Sequence, residues 1–222
     1  MQFDILSLFP AALEGYYQSS ILGRAQKQKL IRIRNFDLRD WARNKHRRVD
    51  DTPYGGGPGM VIRVDVVHRA LTGIYTKKNK KTRVVLLTPR GKTFDQRAAR
   101  RLLVYERVIL IAGRYEAIDG RVDAYVDEKI SIGDFVLTGG ELAAACVIDA
   151  VSRLIPGVLG KEESMREESF DSFTKHGTTV EYPQYTKPEN FRGARVPSVL
   201  LSGHHQKIKD WRTKHRKRKA IG

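Results

Sequence analysis

Apolar positions along this chain fall into short runs separated by stretches with helical spacing. That rhythm predicts an α/β domain built on a parallel sheet. Phe3–Phe9 reads as a strand that Pro10 stops, and Ser19–Leu30 has helical spacing with serines at its start. Ile31–Leu38 alternates apolar and polar, as a half-buried strand does. Asp65–Tyr75 reads as a helix closed by the lysine-rich loop Lys77–Lys81. Arg83–Leu87 is a β-branched strand, Phe94–Leu103 a helix, and Arg107–Ala112 the most apolar strand. Asp127–Ile132 is a further short strand, and Glu141–Leu154 a long apolar helix ended before Pro156 and Gly157. From Lys161 to Pro188 the pattern becomes charged, Ser/Thr-rich and aperiodic, which predicts a long mobile connection; loops of that length usually carry function or disorder. Phe191–Gly222 reads as a small, helical and very basic module.

Composition changes the picture mainly through charge. The 222 residues, 41% hydrophobic, suffice for one or two domains with real cores. Lys and Arg number 41 against 25 Asp and Glu, a net +16, with a pI near 10.1. Such a field attracts polyanions, nucleic acid first among them; a solvated basic surface is the plain alternative. No run of ~20 apolar residues is present, so no membrane span is expected. The opening Met1–Leu8 lacks a basic start and a cleavable small-residue site, so no secretory leader is expected either. The single cysteine, Cys146, cannot form an internal disulfide and is read as a small buried hydrophobe in a reducing compartment.

Four segments carry candidate chemistry. Val49–Met60 (VDDTPYGGGPGM) packs four glycines and two prolines into eight residues, so it is a loop with unusual backbone angles flanked by carboxylates. Leu87–Gly91 (LTPRG), Ala112–Asp119 (AGRYEAID) and Ser131–Glu141 (SIGDFVLTGGE) each follow a strand, where open α/β sheets bind ligands. A glycine ending a strand is ordinary turn chemistry. Three such segments together suggest one pocket that recognises a flat heterocycle through main-chain groups. No phosphate loop of the G-x-x-x-x-G-K-[ST] type, no G-x-G-x-x-G and no zinc spacing occurs.

Taken with the opening FDILSLFP and SILGRAQ, the motifs VDDTPYGGGPGM, GRYEAID, SIGDFVLTGGELAA, DAVSRLIPGVLG, YPQYTKPENF, VPSVLLSGHHQKI and DWR resemble the bacterial tRNA (guanine-N1)-methyltransferase family, in order and spacing, over about nine-tenths of the chain. The resemblance implies a knotted α/β methyltransferase domain of the SPOUT type, a rare exception to the rule that chains do not thread their own loops. It implies a small all-helical C-terminal domain, giving residues 1–160 as cofactor domain, 161–188 as catalytic linker and 189–222 as tRNA-binding domain. A cytoplasmic homodimer using S-adenosylmethionine follows, with cofactor loops of one chain facing the linker of the other. The target is the guanosine on the 3′ side of the tRNA anticodon. The family also implies Mg²⁺ dependence, which no metal-ligand spacing in this sequence displays.

Residue by residue, the resemblance assigns Pro89, Gly113, Tyr115, Glu116, Ile132, Gly133, Asp134, Phe135, Val136, Leu137, Gly139 and Gly140 to the cofactor pocket. Phe135 or Leu137 could equally be plain core. His46, Asp50, Arg114 and Ser164 are candidates for contact with RNA. Arg153 is assigned to the charge developing on guanine O6, and a carboxylate to the N1 proton. Counting from Val158-Leu159-Gly160, the family's Asp falls on Glu168, while Asp171 matches in identity three residues later; both stay open. Ala117, Lys187 and His204 stand where the family has Gly, Arg and Asn, and against the family the sequence stops early after a highly basic tail, so a shortened last helix is expected. A related knotted enzyme acting on ribosomal RNA or a ribose hydroxyl, and an RNA-binding module without catalysis, are the rival readings.

Overall fold

A computed structural model describes residues 1–76, 79–160, 169–170, 173–174 and 177–219. They form two compact units, residues 1–160 and 161–222. The first unit runs β1 (Gln2–Ser7), α1 (Glu14–Gln18), α2 (Ser20–Lys27), β2 (Arg32–Asp37), β3 (Asp50–Asp51), β4 (Val61–Ile62), α3 (Val64–Ile74), β5 (Thr82–Thr93), α4 (Gln96–Leu102), β6 (Arg107–Ala112), β7 (Ala117–Ile118), β8 (Glu128–Ser131) and α5 (Glu141–Ser152).

The main sheet has the order β2-β1-β6-β5-β8, and every pairing is parallel. Near-continuous apolar runs are what a parallel strand covered on both faces requires. Side chains along a strand alternate between faces. Accordingly Val108 and Leu110 of β6 join one core with Leu22, Ala99, Leu102 and Val147, whereas Ile109 and Ile111 join the other with Val66, Val67 and Ala70 of α3. Thus α2, α4 and α5 cover one face and α3 the other. Asp4, fully buried in β1, is matched by Arg34, whose Nε and a terminal nitrogen donate to its two oxygens at 2.8 Å each, and by Arg107 Nε at 2.6 Å. Two such partners keep a buried carboxylate from being an uncompensated charge.

Three sequence expectations change here. First, Thr88–Gly91 is not a loop after a finished strand. Strand β5 continues to Thr93, and both Leu87 and Lys92 align with Ile130, so four residues bulge out of the ladder. Pro89 has no N–H to give the ladder. Gly91 fits because a Cβ there would lie 2.5 Å from the Ile130 backbone. Second, Cys146 is exposed, not buried. The inner face of α5 takes Ala143, Ala144, Val147, Ile148 and Val151, which turns Leu142 (51% exposed) and Cys146, four residues apart, outward.

Third, the C-terminal unit is not all-helical. Its described part contains β9 (Phe173–Thr174), β10 (Gly177–Val180), β11 (Asn190–Phe191), β12 (Ala194–Arg195), α6 (Ser198–Leu201), α7 (His205–His215) and β13 (Lys217–Lys219). Strand β10 pairs antiparallel with β9 and β13, and β11 with β12. Thr178, Thr179 and Val180 are β-branched and favour the extended backbone. Arg216 leaves the helix at ψ 133°, so the basic tail returns as a strand. The described residues of 161–188 are therefore partly sheet rather than wholly aperiodic. In this unit Trp211 stacks on His215 at 4.1 Å and meets Tyr182 and Tyr185 edge-on.

Candidate functional site

Strands β6, β5 and β8 are neighbours, so the bulge within β5 and the segments that follow β6 and β8 converge. They enclose a cavity of about 580 Å³, lined by Pro89 of the β5 bulge, by Gly113, Arg114, Tyr115 and Glu116 after β6, and by Ile132, Gly133, Phe135, Val136, Leu137, Gly139 and Gly140 after β8. Its size and its mixture of apolar walls and main-chain groups suit a small-molecule ligand. Asp134, expected among these residues, is not part of the lining. Leu86, Ile130, Ser131, Ala143 and Asp119 line it as well. Asp119 ends the GRYEAID motif, but its spacing carries no signal of a cavity role, because its place depends on the parallel pairing of β4 with β7.

Local geometry explains the glycines. Gly133 has φ 145°, and a Cβ on it would meet the Phe135 ring at 2.6 Å. On Gly140 a Cβ would fall 2.8 Å from Ala112 Cα, and the Gly140 amide donates to the Gly113 carbonyl at 2.8 Å, tying two of the three segments together. Ser131 Oγ accepts from the Gly133 amide at 3.2 Å. Tyr115, at φ 63°, holds a left-handed backbone uncommon for a non-glycine residue and turns its ring half into solvent. The Glu116 amide donates to the Met60 carbonyl at 3.2 Å, and its side chain lies over Gly59, so the glycine-rich loop abuts the cavity wall. Gly55, Gly56, Gly57 and Gly59 all have positive φ, as a loop of this composition requires. The Arg121 guanidinium, bonded to Asp119, holds that carboxyl below the usual carboxylate range.

The remaining expected residues divide. Arg114 lies at the cavity, Asp50 is half-buried in β3 and His46 is exposed. Arg153 is half-buried at the C-terminal end of α5 and is not part of the cavity lining. With a rise of 1.5 Å per residue it stands about 18 Å along the helix from Glu141, at the cavity's edge. Ser164, Glu168 and Asp171 lie outside the described residues. On the outer side of α5, the Tyr16 hydroxyl donates to Asp149, and this bond, with burial, pushes the Tyr16 pKa up to about 12. Val136 is 89% exposed, and Phe135, Leu142 and Cys146 are exposed as well. Among the described residues no group of three or more His, Cys, Asp or Glu gathers as a metal site.

Comparison with known proteins bears on this geometry directly. A family model described as "tRNA (Guanine-1)-methyltransferase TrmD" matches residues 1–221. Relatives named "tRNA (guanine-N(1)-)-methyltransferase" cover almost the whole chain. The one from Citrifermentans bemidjiense is 49% identical over 222 residues, 100% of this chain and 87% of its own length. That from Chloroflexus aggregans is 50% identical over 222 residues, 100% and 85% respectively. That from Anaeromyxobacter sp. is 50% identical over 212 residues, 96% and 84%.

Proposed function

The chain belongs to the tRNA (guanine-1)-methyltransferase family, and from that premise we propose that it transfers a methyl group from S-adenosylmethionine to N1 of the guanosine on the 3′ side of the tRNA anticodon. The observation that carries the reading is the convergence of the β5 bulge and the segments after β6 and β8 on one cavity. The cavity fits the cofactor on its own terms. Leu86, Ile130, Phe135 and Leu137 offer apolar walls to a flat base, glycines bring main-chain groups close, and Glu116 and Asp119 offer carboxylates to an ammonium. Bound there, the cofactor would supply a methyl group already activated on a sulfonium. No step is assigned to Mg²⁺.

The protein's task is then proton management. Guanine N1 carries a proton and has no free lone pair at neutral pH, so a nucleophile forms only when a base accepts that proton. Glu168 or Asp171 is the proposed acceptor. As the N1–H bond breaks, negative charge develops on O6, and the planar, always-charged guanidinium of Arg153 stabilises it.

Arg153 stands too far from its own cavity for this, so the proposal pairs the cavity of one chain with Arg153 and the linker of a second. The exposed apolar side chains Leu142 on α5 and Phe135 and Val136 before it support a homodimer, since apolar groups left in solvent favour a partner surface. The family's knotted threading is proposed too. In its support, the segment leaving β8 at the sheet edge crosses β5 to bond Gly113 after β6. RNA contact is proposed for His46, Asp50, Arg114, Ser164 and the basic C-terminal unit, and the cytoplasm is the proposed location. No described helix is long and apolar enough to cross a membrane.

The test of the cavity is calorimetry with S-adenosylmethionine and no RNA. Saturable binding that Glu116→Ala weakens is the expected result, and absence of binding would remove the methyltransferase mechanism described here. The basic C-terminal unit is tested through salt. Because Trp211 and β13 hold that unit together, its exposed cations are better neutralised than truncated. Lys209→Gln, Lys214→Gln and Lys217→Gln together should flatten the log–log salt dependence of tRNA binding, by about 0.7–0.9 for each phosphate that is no longer neutralised. An unchanged slope in filter binding would leave these lysines as solvated charge.

A further inference from the structure

Glu141 opens helix α5 and is almost fully buried, yet the chemistry above gives it no task. Its Oε1 accepts from the Ser7 hydroxyl at 3.1 Å, at the end of β1. Both carboxylate oxygens stand 3.2 Å from Arg114 Nε, so one N–H is shared between them. Arg114 also lies with its guanidinium carbon 4.3 Å from the centre of the Phe9 ring. Gly139 makes room for this pair, because a Cβ there would fall 2.4 Å from Glu141 Oε2 and 2.6 Å from Arg114 Nε.

A guanidinium carries five N–H donors. Glu141 takes the one on Nε and Phe9 covers a face, whereas among the described residues no hydrogen bond or ion pair engages the two terminal amino groups. Those groups belong to a side chain that lines the cavity. A structural salt bridge would more often use the terminal fork, whose two parallel N–H bonds match a carboxylate. Holding the arginine by its Nε end does the opposite and keeps the fork for something else.

We propose that Glu141, with Ser7 behind it, is a positioning residue that pins Arg114 so that its terminal amino pair is presented to oxygen acceptors of the RNA at the cavity mouth. The inference rests on the proposed reaction and deepens it.

The experiment is a double-mutant cycle on the full chain: wild type, Glu141→Gln, Arg114→Ala and the double variant, each measured for kcat, KM for tRNA and affinity for S-adenosylmethionine. Glutamine keeps the shape and loses the charge. The expected result is a loss of roughly tenfold in kcat/KM for tRNA with cofactor affinity within about twofold, and no further loss when Glu141→Gln is added to Arg114→Ala, since residues acting through one another are non-additive. Losses that add, an unaffected Glu141→Gln, or equal losses toward both substrates would overturn the proposal. Should Glu141→Gln not fold, Ser7→Ala, which leaves both charges, decides by the same criteria with a smaller effect. A wild-type protein that transfers nothing to tRNA would instead defeat the proposed reaction itself, and this inference with it.

Discussion

Glu168→Gln is expected to reduce single-turnover methyl transfer by 10²–10⁴-fold, the range typical of general-base assistance, while leaving cofactor affinity unchanged. Amide and acid have the same shape, so only the ability to accept the N1 proton is lost. Asp171→Asn should then cost little. The opposite pattern would move the base to Asp171, the position that matches the family in identity but not in spacing. Glu reaches one methylene further than Asp. If neither substitution slows transfer by about tenfold, equal to ~1.4 kcal/mol, the proton leaves by another route and the carboxylate assignment is wrong.

Two inactive variants should restore each other. Glu116 belongs to the cavity, and Arg153 stands at the far end of α5 from it, so a dimer with shared sites divides them between chains. Mixing Glu116→Ala with Arg153→Ala protein and allowing exchange makes half of the dimers mixed. One of the two sites in each is then intact, which predicts about a quarter of wild-type activity for a twofold-symmetric assembly. Verified subunit exchange without recovered activity would show that each chain builds its site alone.

The strands were legible because a buried parallel sheet demands apolar runs, and β6 falls on the residues its composition predicts. The segments after β6 and β8 were legible for a related reason, since glycines cluster where backbone must come close. What pattern could not reveal depends on contacts distant in sequence. The bulge at Thr88–Gly91 exists because Ile130 of β8 aligns with β5 twice. Cys146 faces outward although it sits in an apolar stretch, because Ala143, Ala144, Val147, Ile148 and Val151 take the inner face of α5. The mixed α/β character of the C-terminal unit follows from β13 pairing back onto β10, a partner nearly forty residues upstream. Asp134 was assigned to the cavity by its neighbours in the motif, yet it does not join them in lining it. Glu141 stood in a motif without a role, since only the fold brings Ser7 and Arg114 to it.

The most direct test of the central claim is methyl transfer to an unmodified tRNA transcript, followed by digestion and identification of the modified nucleoside. With S-adenosylmethionine supplied, N1-methylguanosine at the position 3′ to the anticodon is the predicted product. A ribose-methylated nucleoside, a base methylated at another atom, or no incorporation by a protein that binds the cofactor would contradict the account.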